Sequence, residues 1–342
     1  MKQLKAAIFG ASGYSGGELL RLLERHPSVK ITQAFANTSA GALVSSVHAG
    51  RADGDAMEFE SFDGVGSLDA EICFLALPHG EAIELTPALL EAGKIVIDLS
   101  GDHRLMDSSA YEQYYRRAAA PPSVMAKAVY GLPEWNAEAI RSARLVANPG
   151  CYATSAILAL APLLANGLIE PDSIVINGMS GVSGAGRKAA IEYSFVEVNE
   201  NIRAYRAGDH QHTPEIEQAL TQIGGQPVQV TFIPHLIPIT RGIYSTIVAR
   251  QRGSGMQALQ ALKAAFEGYY ADKPFVRFHA KRIPEVRHVT NTNYVDIGLR
   301  YVPERNQVII MSTLDNLVKG AAGQAVQNMN LACGFQETEG LL

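Results

Sequence analysis

A glycine-rich turn between a short apolar strand and an amphipathic helix near the N-terminus, two uninterrupted apolar runs that stop in polar clusters, and a length of 342 residues together predict a two-domain α/β protein. The first domain reads as a Rossmann-like parallel sheet and the second as an α+β domain with a mixed sheet. One core seldom grows to this length, and each half is large enough to fold without covalent staples. Apolar residues make up 47% and charged residues 18%, the balance of a globular chain rather than a disordered one. The net charge of -5 argues against a general nucleic-acid binder. Cys73, Cys151 and Cys333 have no metal-ligand spacing and cannot all pair, which predicts a reducing compartment, by default the cytoplasm. The lysines near the start run into a glycine loop rather than a long apolar core, so no secretory leader is expected. No membrane span is expected either, because the most apolar window, 151–169, is interrupted by Thr154, Ser155, Pro162 and Asn166.

In chain order, Leu4 to Phe9 reads as a buried strand, and glycines 10, 13 and 16 follow it at GxxGxxG spacing. An amphipathic helix then runs to His26-Pro27, and a second strand runs from Val29 to Ala36. Such glycines permit a tight turn and the close approach of backbone to a pyrophosphate, with a helix N-terminus facing the anion. Gly10, Ser12, Gly13, Tyr14, Ser15 and Gly16 are therefore candidate dinucleotide contacts. The second strand ends in Ala36-Asn37-Thr38-Ser39, without the acid that usually holds an NAD ribose there. Thr38 and Ser39 can instead donate to a 2′-phosphate, so NADP (as NADPH) is expected. Strands are predicted over 72–77 and 95–100, with a helix over 81–93 between them. The polar cluster Gly101-Asp102-His103-Arg104 falls at a strand end, where doubly wound sheets bind ligands, and Arg104 is a candidate anion holder.

Asn148, Pro149 and Gly150 end the next apolar strand, and the alanine- and leucine-rich run after them places Cys151 in the first turn of a helix. Unpaired amides and the helix dipole there favour a thiolate. A domain boundary is expected at this point, with residues 1–150 and a returning segment 314–342 forming the first domain and residues 151–313 the second. The returning segment is expected to be one long helix that carries Asn316 to the dinucleotide. A second glycine- and serine-rich loop, 178–188, ends in Arg187 and Lys188, and its amides are candidates for holding an anion. Further on, His210 and His212 precede an expected helix with Thr213 as N-cap. A thiol enzyme needs a base, and His212 is the candidate, with His210 and Glu215 orienting it or holding substrate. A metal site is not expected, because no other ligands cluster there. Strands are predicted at 228–234, 242–250, 294–301 and 307–311, with a helix at 257–270.

The motifs Gly10-Ala-Ser-Gly-Tyr-Ser-Gly16, Asn148-Pro-Gly-Cys-Tyr-Ala-Thr154, Ser180-Gly-Val-Ser-Gly-Ala-Gly-Arg187, His210-Gln-His-Thr-Pro-Glu-Ile216, Pro234-His-Leu-Ile-Pro-Ile-Thr-Arg-Gly242 and Asp315-Asn-Leu-Val-Lys-Gly-Ala-Ala-Gly-Gln324 cover nearly the whole chain. In this set the sequence resembles the longer form of the N-acetyl-γ-glutamyl-phosphate reductases of arginine biosynthesis. The resemblance implies NADPH-dependent reductive dephosphorylation of a small acyl phosphate to a semialdehyde. It also implies a fold shared with aspartate-semialdehyde and glyceraldehyde-3-phosphate dehydrogenases, and a homodimer or homotetramer. Arg104, Asn148, Ser180, Gly181 and Arg187 are the expected substrate contacts. Two alternatives share these residues: a carrier-linked aminoadipyl-phosphate reductase of a lysine pathway, and a non-catalytic NADP-binding sensor that uses the Cys151 thiol.

Overall fold

The computed structural model describes residues 3–49 and 56–342, and its contacts divide the chain into two units. Residues 1–149 with 321–342 form one unit, and 150–320 form the other.

The first unit is organised on a six-stranded parallel sheet. Its strands are β1 (Leu4–Phe9), β2 (Val29–Phe35), β3 (Ile72–Leu75), β4 (Ile95–Asp98), β5 (Ala128–Tyr130) and β6 (Leu145–Ala147), ordered β2-β1-β3-β4-β6-β5. All four residues of β3 are buried, as the unbroken apolar pattern requires of a parallel strand covered on both faces. The strand order reverses between β1 and β3, and in such sheets ligands bind outside the carboxyl ends at that reversal.

The helix Gly323–Ala332 belongs to this unit and is buried from Gly323 to Leu331. Four of its buried residues are amides, and each donates from its side-chain nitrogen within the unit. Gln324 and Asn328 donate to the Gly131 carbonyl at 2.7 and 2.8 Å, Gln327 to Glu134 at 3.1 Å, and Asn330 to the carbonyls of Glu337 and Glu339 at 3.1 and 2.9 Å. Buried amides without partners would each cost about 1–3 kcal/mol, so this set fixes where the returning helix packs. The expected single helix from 314 onward is interrupted. The strand before it runs to Leu314, a π-turn spans Val318–Ala322, and the chain passes between the units at 320/321.

The second unit holds a seven-stranded mixed sheet of β7 (Ile174–Gly181), β8 (Arg203–Ala204), β9 (Val230–Ile237), β10 (Ile243–Arg250), β11 (Val276–His279), β12 (Val295–Val302) and β13 (Gln307–Leu314), ordered β11-β12-β13-β10-β7-β9-β8. The β7/β9 and β11/β12 pairs are parallel and the rest antiparallel. Burial alternates along β7, β9 and β10, so one face of the sheet is core and the other half-exposed.

Against the core face lies the helix Cys151–Ala165, buried without a break from Tyr152 to Leu164. Ser155 pins it to the sheet through the hydroxyls of Ser245 (2.9 Å) and Ser312 (3.1 Å). Pro162 sits inside this helix and has no N–H for the Leu158 carbonyl one turn back. The Tyr270 hydroxyl donates to that carbonyl instead, at 2.6 Å, and the helix continues to Ala165.

Candidate active site

In the first unit the glycine turn lies at the carboxyl end of β1. Gly10 has φ +75°, and a Cβ there would lie 2.1 Å from the Ala76 carbonyl oxygen; at Gly16 it would lie 2.4 Å from the Gly10 oxygen. Both positions therefore exclude any side chain. The helix Tyr14–Leu23 starts from Gly13 with no side-chain cap, so its first amides are left for a ligand. These features fit a dinucleotide diphosphate held by Gly10, Ser12, Gly13, Tyr14, Ser15 and Gly16. His48, which sequence reasoning missed, braces the turn by donating from Nε2 to the Ala11 carbonyl at 2.8 Å.

Thr38 is exposed and Ser39 half-buried, on the short turn Asn37–Ser39 after β2. An acid unseen in the local sequence also arrives here, because Glu60 returns beside the end of β2, its amide donating to Ala34 and its carbonyl accepting from Ala36. Its carboxylate is engaged by Gln33 Nε2 at 3.2 Å.

The cluster after β4 is an internal network. Asp102 accepts from the Gly80 amide (2.8 Å) and the Tyr111 hydroxyl (2.7 Å), and His103 Nδ1 lies 2.6 Å from Asp98 Oδ2. Burial by itself would raise the Asp98 pKa, but the His103 hydrogen bond and charge, with Ser100, outweigh it and the carboxyl is held below its usual range. Arg104, expected to face an anion, is 6% exposed and donates to the carbonyls of Asn148 and Leu99, both at 2.8 Å. Asn148 in turn donates to the Ala321 carbonyl and accepts from Asn328. The structure thus places Arg104 and Asn148 as braces of the turn that leads to the cysteine.

In the second unit Cys151 is the first residue of its helix. Gly150 is the N-cap and offers no side-chain bond, leaving the first-turn amides beside the sulfur. A Cβ on Gly150 would lie 2.2 Å from His212 Nε2, so the imidazole packs directly on the peptide that precedes the cysteine. The Gly150 amide donates to Glu215 Oε1 at 2.8 Å, and Glu215 is fully buried. Gly320 closes the other side, since a Cβ there would lie 2.7 Å from Cys151 Cβ. Cys151, His212 and Glu215 are therefore brought together around one glycine.

His212 does not precede the helix, as expected, but opens it: the helix spans His212–Gly224 and Thr213 lies inside its first turn. The capping acceptor is the His210 ring, whose Nδ1 accepts the His212 amide at 3.1 Å. His210 is ringed by Tyr152, Tyr205 and Phe232, and burial, with smaller contributions from His212 and Arg206, pushes its pKa down to about 2. It is a neutral imidazole whose Nδ1 holds the helix start.

In the second glycine loop three of the amides are engaged within the unit. Those of Gly181, Val182 and Ser183 donate to the carbonyls of Gly242, Ile239 and Thr240 at 2.9, 3.0 and 3.1 Å. Ser180 is buried at the end of β7, while Arg187 and Lys188 are exposed further along. Asn316 belongs to the second unit, so the segment returning to the first unit starts at 321 rather than 314. This asparagine accepts the Gly242 amide at 2.7 Å and donates to Ser183 at 3.0 Å, because the turn after β13 stays paired to this sheet. Burial pushes the thiols of Cys73 and Cys333 up to about 12, which disfavours the thiolate at both. Among the described residues no group of three or more His, Cys, Asp or Glu side chains is placed to hold a metal ion, and no helix is long and apolar enough to cross a membrane.

A dinucleotide-type parallel sheet in one unit and, in the other, a thiol heading a buried helix with an imidazole on its capping glycine define a protein of the semialdehyde dehydrogenase class. The chain matches the family model of the semialdehyde dehydrogenase NAD binding domain over residues 5–143 and that of the semialdehyde dehydrogenase dimerisation domain over residues 151–316. Within the class, the chain belongs to the N-acetyl-γ-glutamyl-phosphate reductase family. The relative of that name from Geobacillus kaustophilus (strain HTA426) is 47% identical over 343 residues, covering 99% of this chain and 98% of its own. That from Akkermansia muciniphila is 46% identical over 347 residues, covering 100% and 99%. Among solved structures, aspartate semialdehyde dehydrogenase II of Vibrio cholerae, complexed with ASA, has a TM-score of 0.72 at 19% identity, covering 98% of this chain and 99% of that one. Aspartate semialdehyde dehydrogenase of Candida albicans, with NADP, has a TM-score of 0.66 at 16% identity, covering 96% and 98%. At those identities the likeness is one of fold.

Proposed function

We infer that this protein reduces N-acetyl-γ-glutamyl phosphate to N-acetylglutamate γ-semialdehyde with NADPH, releasing phosphate, as a step of arginine biosynthesis. The observation that carries the reading is the Cys151 thiol at a helix start with His212 packed on Gly150. The Cys151 thiolate attacks the γ-acyl carbon, a carbon–sulfur bond forms, and the carbon–oxygen bond to phosphate breaks to leave a thioester. A reduced dinucleotide, held by the glycine turn at residues 10–16, would supply the hydride for reduction of this Cys151 thioester to a thiohemiacetal. His212 takes the proton from the thiohemiacetal oxygen in one direction and returns it in the other, work worth about 10²–10⁴-fold. As the aldehyde forms, the carbon–sulfur bond breaks and the helix start takes back the thiolate. Glu215 and His210 hold the two elements that carry these groups, and Arg187 and Lys188 are the cations offered to the substrate's anionic ends.

The preference for NADPH rests on the absence of an acid over residues 36–39 and on the Glu60 carboxylate being engaged by Gln33. The dimerisation-domain match supports a homodimer or homotetramer. The sensor alternative needs a second reactive thiol, and the thiols of buried Cys73 and half-buried Cys333 are both pushed up to about 12. In the direct test, N-acetylglutamate semialdehyde and phosphate are supplied and the reduction of NADP is followed. Turnover with the free semialdehyde supports the reading; its complete absence would transfer the case to a carrier-linked acyl phosphate.

A further inference from the structure

We propose that Arg241 holds the α-carboxylate of the substrate and so selects which acyl phosphates reach Cys151. The inference rests on the reaction proposed above and names a residue that sets its specificity.

Arg241 stands on the turn between β9 and β10, and backbone pairing brings that turn to the end of β7. The amides of Val182 and Ser183 donate to the carbonyls of Ile239 and Thr240, at 3.0 and 3.1 Å. At Gly181 the approach is tighter, since a Cβ there would lie 2.7 Å from the Arg241 nitrogen and 2.8 Å from its Cα. No side chain fits at 181 while the Arg241 backbone holds this position.

One buried carboxylate aims the guanidinium. Asp315, with no exposed surface, has its Oδ2 3.5 Å from Arg241 Nη1, and the same Nη1 donates to the Asn291 side-chain oxygen. Asp315 is itself fixed by amides: its Oδ1 accepts from Leu317 and Val318 at 2.9 and 3.2 Å, and its Oδ2 from Asn291 at 2.7 Å. Asn291 adopts φ +64°, a left-handed conformation, and thereby turns its amide to Asp315 and its side chain to Arg241. Backbone cost of this kind persists where the surroundings over-determine it. A guanidinium presents five N–H donors in one plane, and both of these contacts are made at the Nη1 corner. The Arg241 side chain is 17% exposed, so a ligand carboxylate can reach it.

Asp315 also ties this arginine to the thiol. Its carbonyl accepts the Gly320 amide at 2.9 Å, and a Cβ on Gly320 would lie 3.3 Å from that carbonyl oxygen and 2.7 Å from Cys151 Cβ. One glycine therefore separates the cysteine from the residue that anchors Arg241. In the substrate, the acyl carbon that meets the thiolate and the carboxylate carbon are joined by a chain of carbon–carbon bonds about 5 Å long when extended. A planar, anchored fork suits that planar carboxylate, which leaves the exposed Arg187 and Lys188 to the phosphate.

The test is steady-state kinetics in the direction of NADP reduction, on wild type, Arg241→Met and Arg241→Lys. Each is given phosphate with N-acetylglutamate semialdehyde or with its 1-carboxamide, which is similar in size but uncharged. Wild type should prefer the carboxylate by at least about tenfold in kcat/KM, and Arg241→Met should raise KM for it at least about tenfold and remove the preference. Arg241→Lys should recover part of the preference, because the charge is kept while the fork is lost. A merely structural arginine would lower both substrates alike, so a wild-type preference surviving in Arg241→Met overturns the proposal. Absence of turnover of the semialdehyde by wild type is a different failure, which overturns the reaction and this assignment with it. Should neither variant fold, arginine modification of wild type decides. Phenylglyoxal should label the Arg241 peptide, and the semialdehyde, but not its 1-carboxamide, should protect it; labelling that the semialdehyde leaves unchanged overturns the proposal.

Discussion

Two strand-to-helix corners differ in what surrounds a helix start that has no side-chain cap. After β1, Gly10, Gly13 and Gly16 clear the space around the first turn, and backbone oxygens at 2.1 and 2.4 Å would strike any Cβ at 10 or 16. At Gly150 the space is filled instead. A cysteine stands at the first helical position, His212 lies against the glycine, and the Glu215 carboxylate takes its amide. On the proposed reading the two helix starts serve two purposes: the emptied corner would receive an anion that arrives with a ligand, and the filled corner would favour an anion made from its own thiol. In both, glycine is required by contact, with backbone at the first corner and with an imidazole at the second.

The sharpest way to break this comparison is Cys151→Ser, which should abolish nearly all turnover while leaving dinucleotide affinity unchanged, because a serine hydroxyl yields no anion near neutral pH and leaves poorly from the adduct. Comparable turnover in the serine variant would show that the filled corner does not work through its thiolate. Next in size, His212→Asn should lower kcat by about 10²–10⁴ with a smaller effect on KM, since the proton moves only in the reaction. A change confined to KM would make His212 a binding group. Gly150→Ala and Gly16→Ala then separate the corners directly. The first should push the imidazole aside and cost about 10² in kcat with dinucleotide affinity kept, whereas the second should raise the dinucleotide Kd. Identical phenotypes for the two variants would remove the distinction drawn between them.

A smaller effect concerns pH. Folded His210 is held near pKa 2, mainly by burial, whereas unfolded it titrates near 6.5, so below 6.5 the unfolded chain takes a proton that the native one refuses. Stability should therefore fall as pH drops from 6.5 towards 2, by roughly 1 kcal/mol per pH unit from this group. His210→Asn should flatten that part of a Tm-against-pH curve without moving the acid limb of kcat, which belongs to another group. Smallest of all, Ser39→Asp should erode the preference for NADPH over NADH by like-charge repulsion against the 2′-phosphate, read as a ratio of kcat/KM values.

Both corners were legible in sequence because each rests on local signals: an apolar run, glycines or Asn148-Pro149-Gly150, then a helix pattern. What escaped depends on pairing between distant segments. Glu60 reaches the end of β2 only through a returning segment, and the amides of Gly181 to Ser183 are engaged by carbonyls from residues 239–242. The return to the first unit starts at 321 rather than 314, because Asn316 is paired to Gly242 and Ser183, a register that no local pattern encodes. The histidines were recognised by type, but their roles separated only when His210 proved to be a buried cap and His212 the first residue of the helix. Arg104 shows the converse: a strand-end arginine suggested ligand binding, and the structure engages it with the carbonyls of Leu99 and Asn148.

The claim that the filled corner makes a nucleophile is tested most directly by mixing the protein with N-acetyl-γ-glutamyl phosphate in the absence of dinucleotide, following phosphate release and the mass of the cysteine-bearing peptides. The account predicts a burst of phosphate stoichiometric with chains and a hydroxylamine-labile acyl adduct on the Cys151 peptide, both lost in Cys151→Ser. A burst that persists in that variant, or an adduct found on Cys73 or Cys333, would contradict it.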